Sequence, residues 1–266
     1  MERSYHINAL EILNERFYKR YADAFHSTRG HGWRGWRALL NTLEDHPLRV
    51  IDIGCGTGRL ADCLERIWVN ELGRSLQSYI GLERSEELLK HADDWELSIK
   101  ADWRVFDWST ALFTTQKQYP IDQYLGHCTW VTLFGVMHHV YSFEARVEMI
   151  VWAAGALKKG GAISVSLWDF GADPRYEKKF LQWDHFITKE KGLSSHLIEE
   201  GDYLLGWAGE EHTPRYCHWI SRDEETRWLS EIAKRAPQLS KPKLTLVEGD
   251  QNRYWTWLSS EDLTHP

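Results

Sequence analysis

The segment best suited to binding a ligand is a glycine-rich turn, Asp52-Ile53-Gly54-Cys55-Gly56-Thr57-Gly58, which follows a short apolar run. Glycine at alternate positions lets the backbone turn tightly and approach a ligand without a Cβ in the way. A helix that starts near Arg59 would point its N-terminal amides at that ligand, which suits a carboxylate or a phosphate. We therefore expect a cofactor here, bound by Asp52, Gly54, Cys55, Gly56 and Gly58.

The spacing of these glycines separates two classes of cofactor site. A dinucleotide site has the pattern G-x-G-x-x-G, but Arg59 stands where its third glycine would be. The compact G-x-G-x-G turn after an acidic residue is instead the pattern of S-adenosylmethionine enzymes. A lone glycine turn is weak evidence, so the residues at the following strand ends carry the distinction.

An acid closes the second predicted strand, in Gly81-Leu82-Glu83-Arg84-Ser85. A carboxylate at this place can accept both hydroxyls of a ribose. Glu83 follows Gly58 by 25 residues, where about 20 are usual, and an extended helix or loop around residues 70–73 would absorb the excess. We expect Glu83 and Arg84 in the cofactor site. The alternative is a surface carboxylate.

Two further strand ends supply polar and aromatic side chains. After the third strand, Asp107 could accept the adenine amino group and Trp108 could pack on the ring, with Asp102 as a competing acceptor. After the fourth strand, Val136 and His139 would meet the cofactor and His138 the substrate, unless the two histidines are structural.

Apolar runs and periodic patterns predict alternating strands and helices from residue 48 onward. The predicted strands cover 48–53, 78–82, 103–106, 129–136 and 162–168, and the predicted helices between them cover 60–72, 85–91 and 143–157. The last of these helices should end at Lys158-Lys159-Gly160-Gly161, which has the cationic last turn and glycine typical of a helix end. This order predicts a doubly wound, mostly parallel α/β sheet with helices on both faces.

Residues 170–212 interrupt this alternation. They are polar with Phe180, Trp183 and Phe186 at spacings of three, which predicts an inserted helical cap over the C-terminal edge of the sheet. After a helix at 223–234, strands at 244–248 and 253–258 predict an antiparallel hairpin that closes a seven-stranded sheet. Helices at 7–25 and 36–43 fall in an N-terminal segment of residues 1–46, and we expect one domain over 1–266.

Composition narrows the class of protein. Hydrophobic residues make up 42% of the 266 residues, enough for a core, and no apolar run approaches the roughly 18–20 residues of a membrane span. The N-terminus lacks the apolar run of a signal peptide, so we expect a cytoplasmic protein without a membrane partner. The four cysteines form no CxxC pair, which predicts free buried thiols and no metal site.

The net charge of −7 is not typical of a nucleic-acid-binding protein, which usually has a basic surface. Charge is uneven, however. Residues 1–37 hold four acidic side chains against seven basic ones, namely Arg3, Arg16, Lys19, Arg20, Arg29, Arg34 and Arg37. This excess predicts either a local basic surface or a merely solvated helix face. The 15 tryptophans fit a core or a stacking surface equally well.

Several short segments resemble the family of tRNA wobble-uridine carboxymethyl methyltransferases, from about residue 17 to about residue 258. Their common property is that they occur in the family's order. They are a Tyr-rich helix running into Ser27-Thr28-Arg29 and Trp33, then Val136-Met137-His138-His139, Asp202 to Trp207, Arg215-Tyr216-Cys217-His218, and Asp250 to Tyr254. Gly206 and Cys217 depart from the family's proline and tyrosine, and residues 173–191 match nothing in it.

The resemblance implies a Rossmann-like class I methyltransferase that uses S-adenosyl-L-methionine and acts on tRNA, often with a small activating partner protein. A carboxylate oxygen is already a nucleophile near neutral pH, so the enzyme must mainly align the reacting atoms and remove water. Arg29 or Arg215 could hold that carboxylate bidentately. Tyr216, His138 and His218 could position the uridine or the carboxylate.

Two other functions remain open. One is a methyltransferase that acts on a small-molecule carboxylate or another metabolite, as the net charge of −7 would favour. The other is an inactive interaction protein with the same fold. A basic rim of Lys19, Arg20, Arg29, Arg34 and Arg37 around the pocket mouth would distinguish a tRNA enzyme from a small-molecule enzyme.

Overall fold

The computed structural model describes residues 2–30, 32–44, 46–108, 126–207 and 209–260. Its main sheet has seven strands, which are β1 (Leu48–Ile53), β2 (Leu76–Glu83), β3 (Asp102–Val105), β4 (Cys128–Leu133), β5 (Leu157–Trp168), β9 (Lys243–Thr245) and β10 (Asn252–Leu258). Their spatial order is β3-β2-β1-β4-β5-β10-β9.

The first five of these strands are parallel, whereas β10 runs antiparallel to both β5 and β9. The predicted doubly wound sheet with a C-terminal antiparallel hairpin is therefore confirmed. Chain order reverses between β1 and β4, which lie side by side with Val50 opposite Trp130. In such sheets a ligand crevice opens beyond the C-terminal ends of the strands at this switch point.

Helices cover both faces of the sheet. They are α1 (Glu2–Ser27), α2 (Arg34–Leu40), α3 (Arg59–Cys63), α4 (Glu86–Leu89), α5 (Phe143–Gly155), α6 (Trp183–Ile187) and α7 (Arg222–Arg235). Helices α5 and α7 pack on one face, around Trp228 and Trp257. Helices α2 and α3 pack on the other, around Trp36, Trp68 and Trp130. These five tryptophans are buried, so this part of the tryptophan content serves the core.

The helix after the glycine turn is not uniform. It continues from α3 as a π-helix over Leu64–Glu71 and closes at Gly73, whose φ is +65°. A π-turn holds more residues than an α-turn. The wider helix and the turn at residue 73 absorb the long spacing between the glycine turn and Glu83, as expected.

Two local predictions were wrong. Helix α5 ends at Gly155, and Lys158 and Lys159 belong to β5 rather than to a last helical turn. The cap is only partly helical: its body is an antiparallel sheet of β6 (Phe180–Leu181), β7 (Asp202–Trp207) and β8 (Glu210–His218). Pairing of β7 with β8 satisfies their backbone groups and buries Leu204 and Tyr216 against α1.

Within the described residues, no helix combines the length and the apolar character that crossing a membrane requires.

Candidate cofactor and substrate site

A cavity of about 540 Å³ opens at the C-terminal ends of β1, β2 and β4. The strand ends form its floor, and α1 lies over them as a roof. The floor includes Asp52, Gly54, Cys55, Gly56, Glu83, Arg84, Asp107, Trp108 and Val136, and the roof includes Leu10, Glu11, Asn14, Tyr18 and Phe25. The structure thus brings the expected cofactor residues to one cavity, except Gly58, which is not among the lining residues.

The glycine turn has the backbone that its sequence predicts. Gly54, Gly56 and Gly58 adopt φ values of +71°, +57° and +75°, a region that side-chain-bearing residues rarely enter. A Cβ on Gly54 would lie 2.2 Å from Cγ2 of Val136, whereas one on Gly56 would meet nothing within 4 Å. Gly54 therefore allows the turn to pack against the end of β4, and Gly56 leaves open space beside the backbone.

Asp52, at the start of the glycine turn, is held by hydrogen bonds from the two strands beside β1. Its buried carboxylate accepts hydrogen bonds from the Tyr79 hydroxyl and from Thr132 Oγ1, both at 2.6 Å. Burial raises the pKa of Asp52 to about 6, although the two hydrogen bonds act in the opposite direction. The carboxylate lines the cavity and also joins β1 to both neighbouring strands.

Glu83 connects the second strand end to the glycine turn. One of its oxygens accepts the N–H of Gly56 at 2.9 Å and the other that of Ser85 at 2.8 Å. Burial raises the pKa of this carboxyl, and the backbone hydrogen bonds counter that effect. Each oxygen keeps a further lone pair, so the group remains able to accept hydroxyls from a ligand in the cavity.

Only one of the two candidate aspartates, Asp107, is among the residues that line the cavity. Asp107 lines the cavity, near Arg84. Asp102 lies on the edge strand β3, where it pairs with Arg104, and it is not among the residues that line the cavity. Trp108 is buried against the main core as well as lining the cavity.

The two adjacent histidines face different surroundings. His139 lines the cavity, where its Nδ1–H donates to the Tyr216 carbonyl at 2.9 Å and its Nε2 accepts from the Tyr18 hydroxyl at 2.8 Å. Burial and the nearby Arg215 lower the pKa of His139 to about 3, so the ring is neutral near pH 7. His138 lies behind it against Trp168 and outside the cavity lining.

Arg29 and Arg215 meet at one aromatic side chain. Their guanidinium carbons lie 5.1 and 5.7 Å from the ring centre of Trp207, and Arg29 also covers Phe25 at 3.6 Å. Neither arginine is among the lining residues, but each contacts one that is: Phe25 for Arg29, and Tyr18 for Arg215. Burial, followed by the charge of Arg215, lowers the pKa of Arg29 to about 10.

Tyr216 and His218 share the carboxylate of Asp202, but only Tyr216 is among the residues that line the cavity. Tyr216 lines the cavity, and its hydroxyl donates to Asp202 at 2.8 Å. His218 points away, between Asp202 at 2.7 Å and Glu224 at 2.8 Å. Burial opposes the protonation of His218, but these two carboxylates outweigh it and raise its pKa.

Sequence reasoning missed several residues of the cavity. Trp33, Trp36 and Arg59 form one wall, with the Arg59 guanidinium 5.7 and 5.5 Å from the two indole rings. Asn14 and Tyr18 come from α1 and secure Tyr216 and His139. Their contribution depends on how α1 crosses the sheet, for which the local sequence carries no signal.

A family model described as a methyltransferase domain matches residues 25–232. The chain belongs to the methyltransferase domain family. This match confirms the expected enzyme class, an S-adenosylmethionine-dependent methyltransferase with a Rossmann-like fold, and the cavity lies where that fold binds ligands.

Individual relatives are more distant. The mouse tRNA (carboxymethyluridine(34)-5-O)-methyltransferase ALKBH8 is 23% identical over 206 residues, which are 76% of this chain and 27% of that protein. The chain therefore spans about a quarter of the length of this relative.

Solved structures share the fold at low identity. Magnesium protoporphyrin IX methyltransferase from Synechocystis, with bound SAH, has a TM-score of 0.53 at 14% identity, over 95% of this chain and all of its own. A methyltransferase from Haloferax volcanii, in complex with the Trm112 activator, has a TM-score of 0.51 at 12% identity, over 93% and 98% of the two chains.

Proposed function

We propose that this methyltransferase transfers a methyl group to a carboxylate oxygen, and that the acceptor is a carboxymethyl group on a tRNA wobble uridine. The observation that carries the proposal is the arginine pair at Trp207. Among the described residues, no carboxylate forms an ion pair with Arg29 or Arg215. Arg215 is buried and Arg29 is partly buried, and buried charges are costly unless they are paired. We therefore propose an anionic group of the substrate as the partner of this pair.

The residues on the cavity floor fit S-adenosylmethionine. Gly56 leaves room for a ligand against the backbone, and Glu83 presents a carboxylate that suits ribose hydroxyls. Asp107 and Trp108 would hold the adenine, with Val136 and His139 at the far wall. When bound, this cofactor supplies an electrophilic methyl group on a sulfonium.

The chain's own residues provide alignment rather than proton transfer. A carboxylate needs no base to act as a nucleophile near neutral pH. His139 is neutral and fixed by hydrogen bonds at both nitrogens, so its role is to hold Tyr18 and the backbone of Tyr216. The roof formed by α1 limits access of water, which otherwise weakens a carboxylate nucleophile by solvating it.

Support for tRNA as the acceptor comes from the similarity to the mouse enzyme and from the positions of the motifs. Segments that lie far apart in sequence converge in space: Arg29, Trp207 and Arg215 meet, and Asp202 binds Tyr216 and His218. A structural neighbour forms a complex with the Trm112 activator, and we propose a small activating protein for this chain too. With tRNA as the acceptor, the enzyme would work in the cytoplasm.

One observation favours a small-molecule carboxylate instead. Of the five side chains expected to form a basic rim, Lys19 lines the cavity, whereas Arg34 donates to the Glu248 carbonyl and Arg37 pairs with Glu71. The cavity lining also includes four glutamates beside Lys19, namely Glu11, Glu15, Glu86 and Glu87. Such carboxylates disfavour a polyanion unless a partner protein supplies positive charge.

Methyl transfer from labelled S-adenosylmethionine distinguishes these acceptors. The chain, with and without a Trm112-type activator, is incubated with total tRNA, and the tRNA is digested to nucleosides. Label in a uridine nucleoside supports the proposal. Label that appears only with a pool of small carboxylic acids would replace it by the small-molecule function, and no transfer to either would refute carboxylate methylation.

A further inference from the structure

A cluster of histidine and aspartate side chains joins the roof of the cavity to the segment after α4. Helix α1 contributes Asp23 and His26, and the other segment contributes His91 and Asp94. One ligand atom from each of His26, His91 and Asp94 lies within 4.8 Å of the other two. Each element thus offers a pair of side chains three residues apart, which on a helical turn share one face.

His91 lies between two aspartates. Its Nε2 lies 3.0 Å from Oδ1 of Asp23, so Nε2–H donates to this carboxylate. Its other nitrogen, Nδ1, lies 3.6 Å from Oδ2 of Asp94, which is beyond hydrogen-bond distance. Nδ1 is therefore the nitrogen that a cation shared with Asp94 would bind.

His26 also has a nitrogen without a hydrogen-bond partner among the described residues. Its ring stacks on His91 at 4.4 Å and 9°, and the nitrogen without a partner is the buried Nδ1.

We propose that His26, His91 and Asp94 bind one Zn²⁺ ion, with water as a fourth ligand and Asp23 orienting His91. Zinc takes nitrogen and carboxylate ligands in tetrahedral geometry at roughly 2.0–2.2 Å, which separates neighbouring ligand atoms by about 3.4 Å. The distance of 3.6 Å between His91 Nδ1 and Asp94 Oδ2 fits that separation. A carboxylate on the far nitrogen of a ligating histidine is the usual second layer of such a site.

Binding requires the two imidazole rings to tilt out of their stack so that both nitrogens face one point. The side chains have room for this movement, since both residues are only partly buried. The aspartates add two carboxylates beside the rings, and Asp23 and Asp94 keep 98% and 64% of their side-chain surface exposed.

A second cluster consists of His138, His139 and Cys217, whose ligand atoms also lie within 4.8 Å of one another. Its surroundings do not suit a metal ion. Both nitrogens of His139 are already hydrogen-bonded. The charges of Arg29 and Arg215 also lower the pKa of His138 after burial does, and the same charges would repel a metal ion. We therefore assign the zinc site to the first cluster alone.

The consequence would be a clamp on the cofactor cavity. Next to the cluster, Trp95 donates its indole N–H to the carbonyl of Thr57 in the glycine turn at 2.5 Å, and its ring lies 5.9 Å from that of His26. Zinc at His26 and His91 would fix α1 to the segment that supports this turn, so the roof and the floor would be held together.

Calorimetric titration of the full chain with zinc sulfate, after removal of metals by a chelator, tests the site. We expect one zinc ion per chain, with at least tenfold weaker binding in His91→Ala and Asp94→Asn. Asp23→Asn should weaken binding by roughly tenfold, as second-layer changes do. Since Asp23 and Asp94 are largely exposed, their variants keep the fold, which the melting temperature without metal checks.

The control is His185→Ala, an exposed histidine on α6 that lies outside the cluster. It should bind zinc as the unaltered chain does. Added zinc should also raise the melting temperature of the unaltered chain but not that of Asp94→Asn. The site is refuted if the unaltered chain takes up no zinc, or if Asp94→Asn and His91→Ala bind it with unchanged affinity.

Discussion

Among single residues, Glu83 has a carboxylate that supports the glycine turn and that we also expect to bind the cofactor. It holds the glycine turn through Gly56 and Ser85, and in our account it also accepts the cofactor's ribose hydroxyls. Replacement by glutamine removes the charge but retains one acceptor oxygen. In Glu83→Gln we expect the Kd for S-adenosylmethionine to rise about tenfold to a hundredfold, because hydrogen bonds to a charged group contribute about 1.5–3 kcal/mol.

Calorimetry measures this Kd, with Glu231→Gln on the surface of α7 as the matched control. An affinity in Glu83→Gln equal to that of the unaltered chain would show that the carboxylate supports the turn and does not bind the cofactor.

Arg29 tests the other half of the site. Arg29→Gln should leave the Kd for the cofactor within about twofold and lower kcat/KM for the acceptor at least thirtyfold, since loss of one partner of a buried charge pair costs about 2–5 kcal/mol. The exposed Arg227→Gln, on α7, is the control. Equal loss of cofactor affinity and turnover would place Arg29 outside the acceptor site.

Residue types alone predicted part of this site. The glycines and Glu83 follow from spacing, because backbone turns and strand ends are local features. Residue type did not show which of Asp102 and Asp107 lines the cavity, because this depends on which residue falls on the edge strand. For His218, which lies between Asp202 and Glu224, we now propose a structural role. Glu224, six residues further along the chain, gave no sign of that pairing.

At the scale of elements, the turn between β1 and α3 depends on two glycines with different requirements. Gly54→Ala would place a Cβ 2.2 Å from Val136. In Gly56→Ala the Cβ meets no atom within 4 Å, and the cost is the strain of a side chain at a φ of +57°. We expect Gly56→Ala to lower the free energy of unfolding by about 1–2 kcal/mol, and Gly54→Ala to lower it clearly more. Urea denaturation compares them, and equal losses would mean that the packing against Val136 is soft.

The cap shows where sequence patterns fail at this scale. Its aromatic spacing of three predicted helix, but among the described residues of the cap only Trp183–Ile187 is α-helical, and Pro174–Lys179 forms a 3-10 helix. Strands β7 and β8 stabilise each other by pairing and by burial against α1, which are tertiary effects. The buried strands of the main sheet were predicted well because a continuous apolar run between glycines has few alternatives.

At the scale of the whole molecule, burial of neutral histidine under the cap makes stability sensitive to acid. Because the pKa of His139 is lowered to about 3, the folded chain does not bind a proton there between pH 6.5 and about 3, whereas the unfolded chain does. Stability from this group is therefore complete above about pH 6.5 and falls as the pH falls.

The variant His139→Gln lacks this dependence. The difference in unfolding free energy between the unaltered chain and the variant should shrink as the pH drops from 7 to 5, by at most about 1.4 kcal/mol per pH unit. Urea denaturation at several pH values measures it. A difference that stays constant with pH would contradict a neutral His139.

The order of the predicted strands and helices predicted the structure better than the overall charge and composition did. The order of elements predicted the seven-stranded sheet, because connection rules leave few topologies. The basic side chains of residues 1–37 do not all surround the cavity. Arg37 forms an ion pair with Glu71, and Arg34 donates a hydrogen bond to a backbone carbonyl. The four cysteines are free and buried, as expected.

The chemical stability of the labelled product shows whether the methyl group goes to a carboxylate oxygen. The product of transfer from methyl-labelled S-adenosylmethionine is isolated and treated with mild alkali. A methyl ester releases its label as volatile methanol, which is the result that the arginine pair at Trp207 predicts. Label that remains on the non-volatile product after this treatment would place the methyl on nitrogen, carbon or an ether oxygen, and would contradict the account.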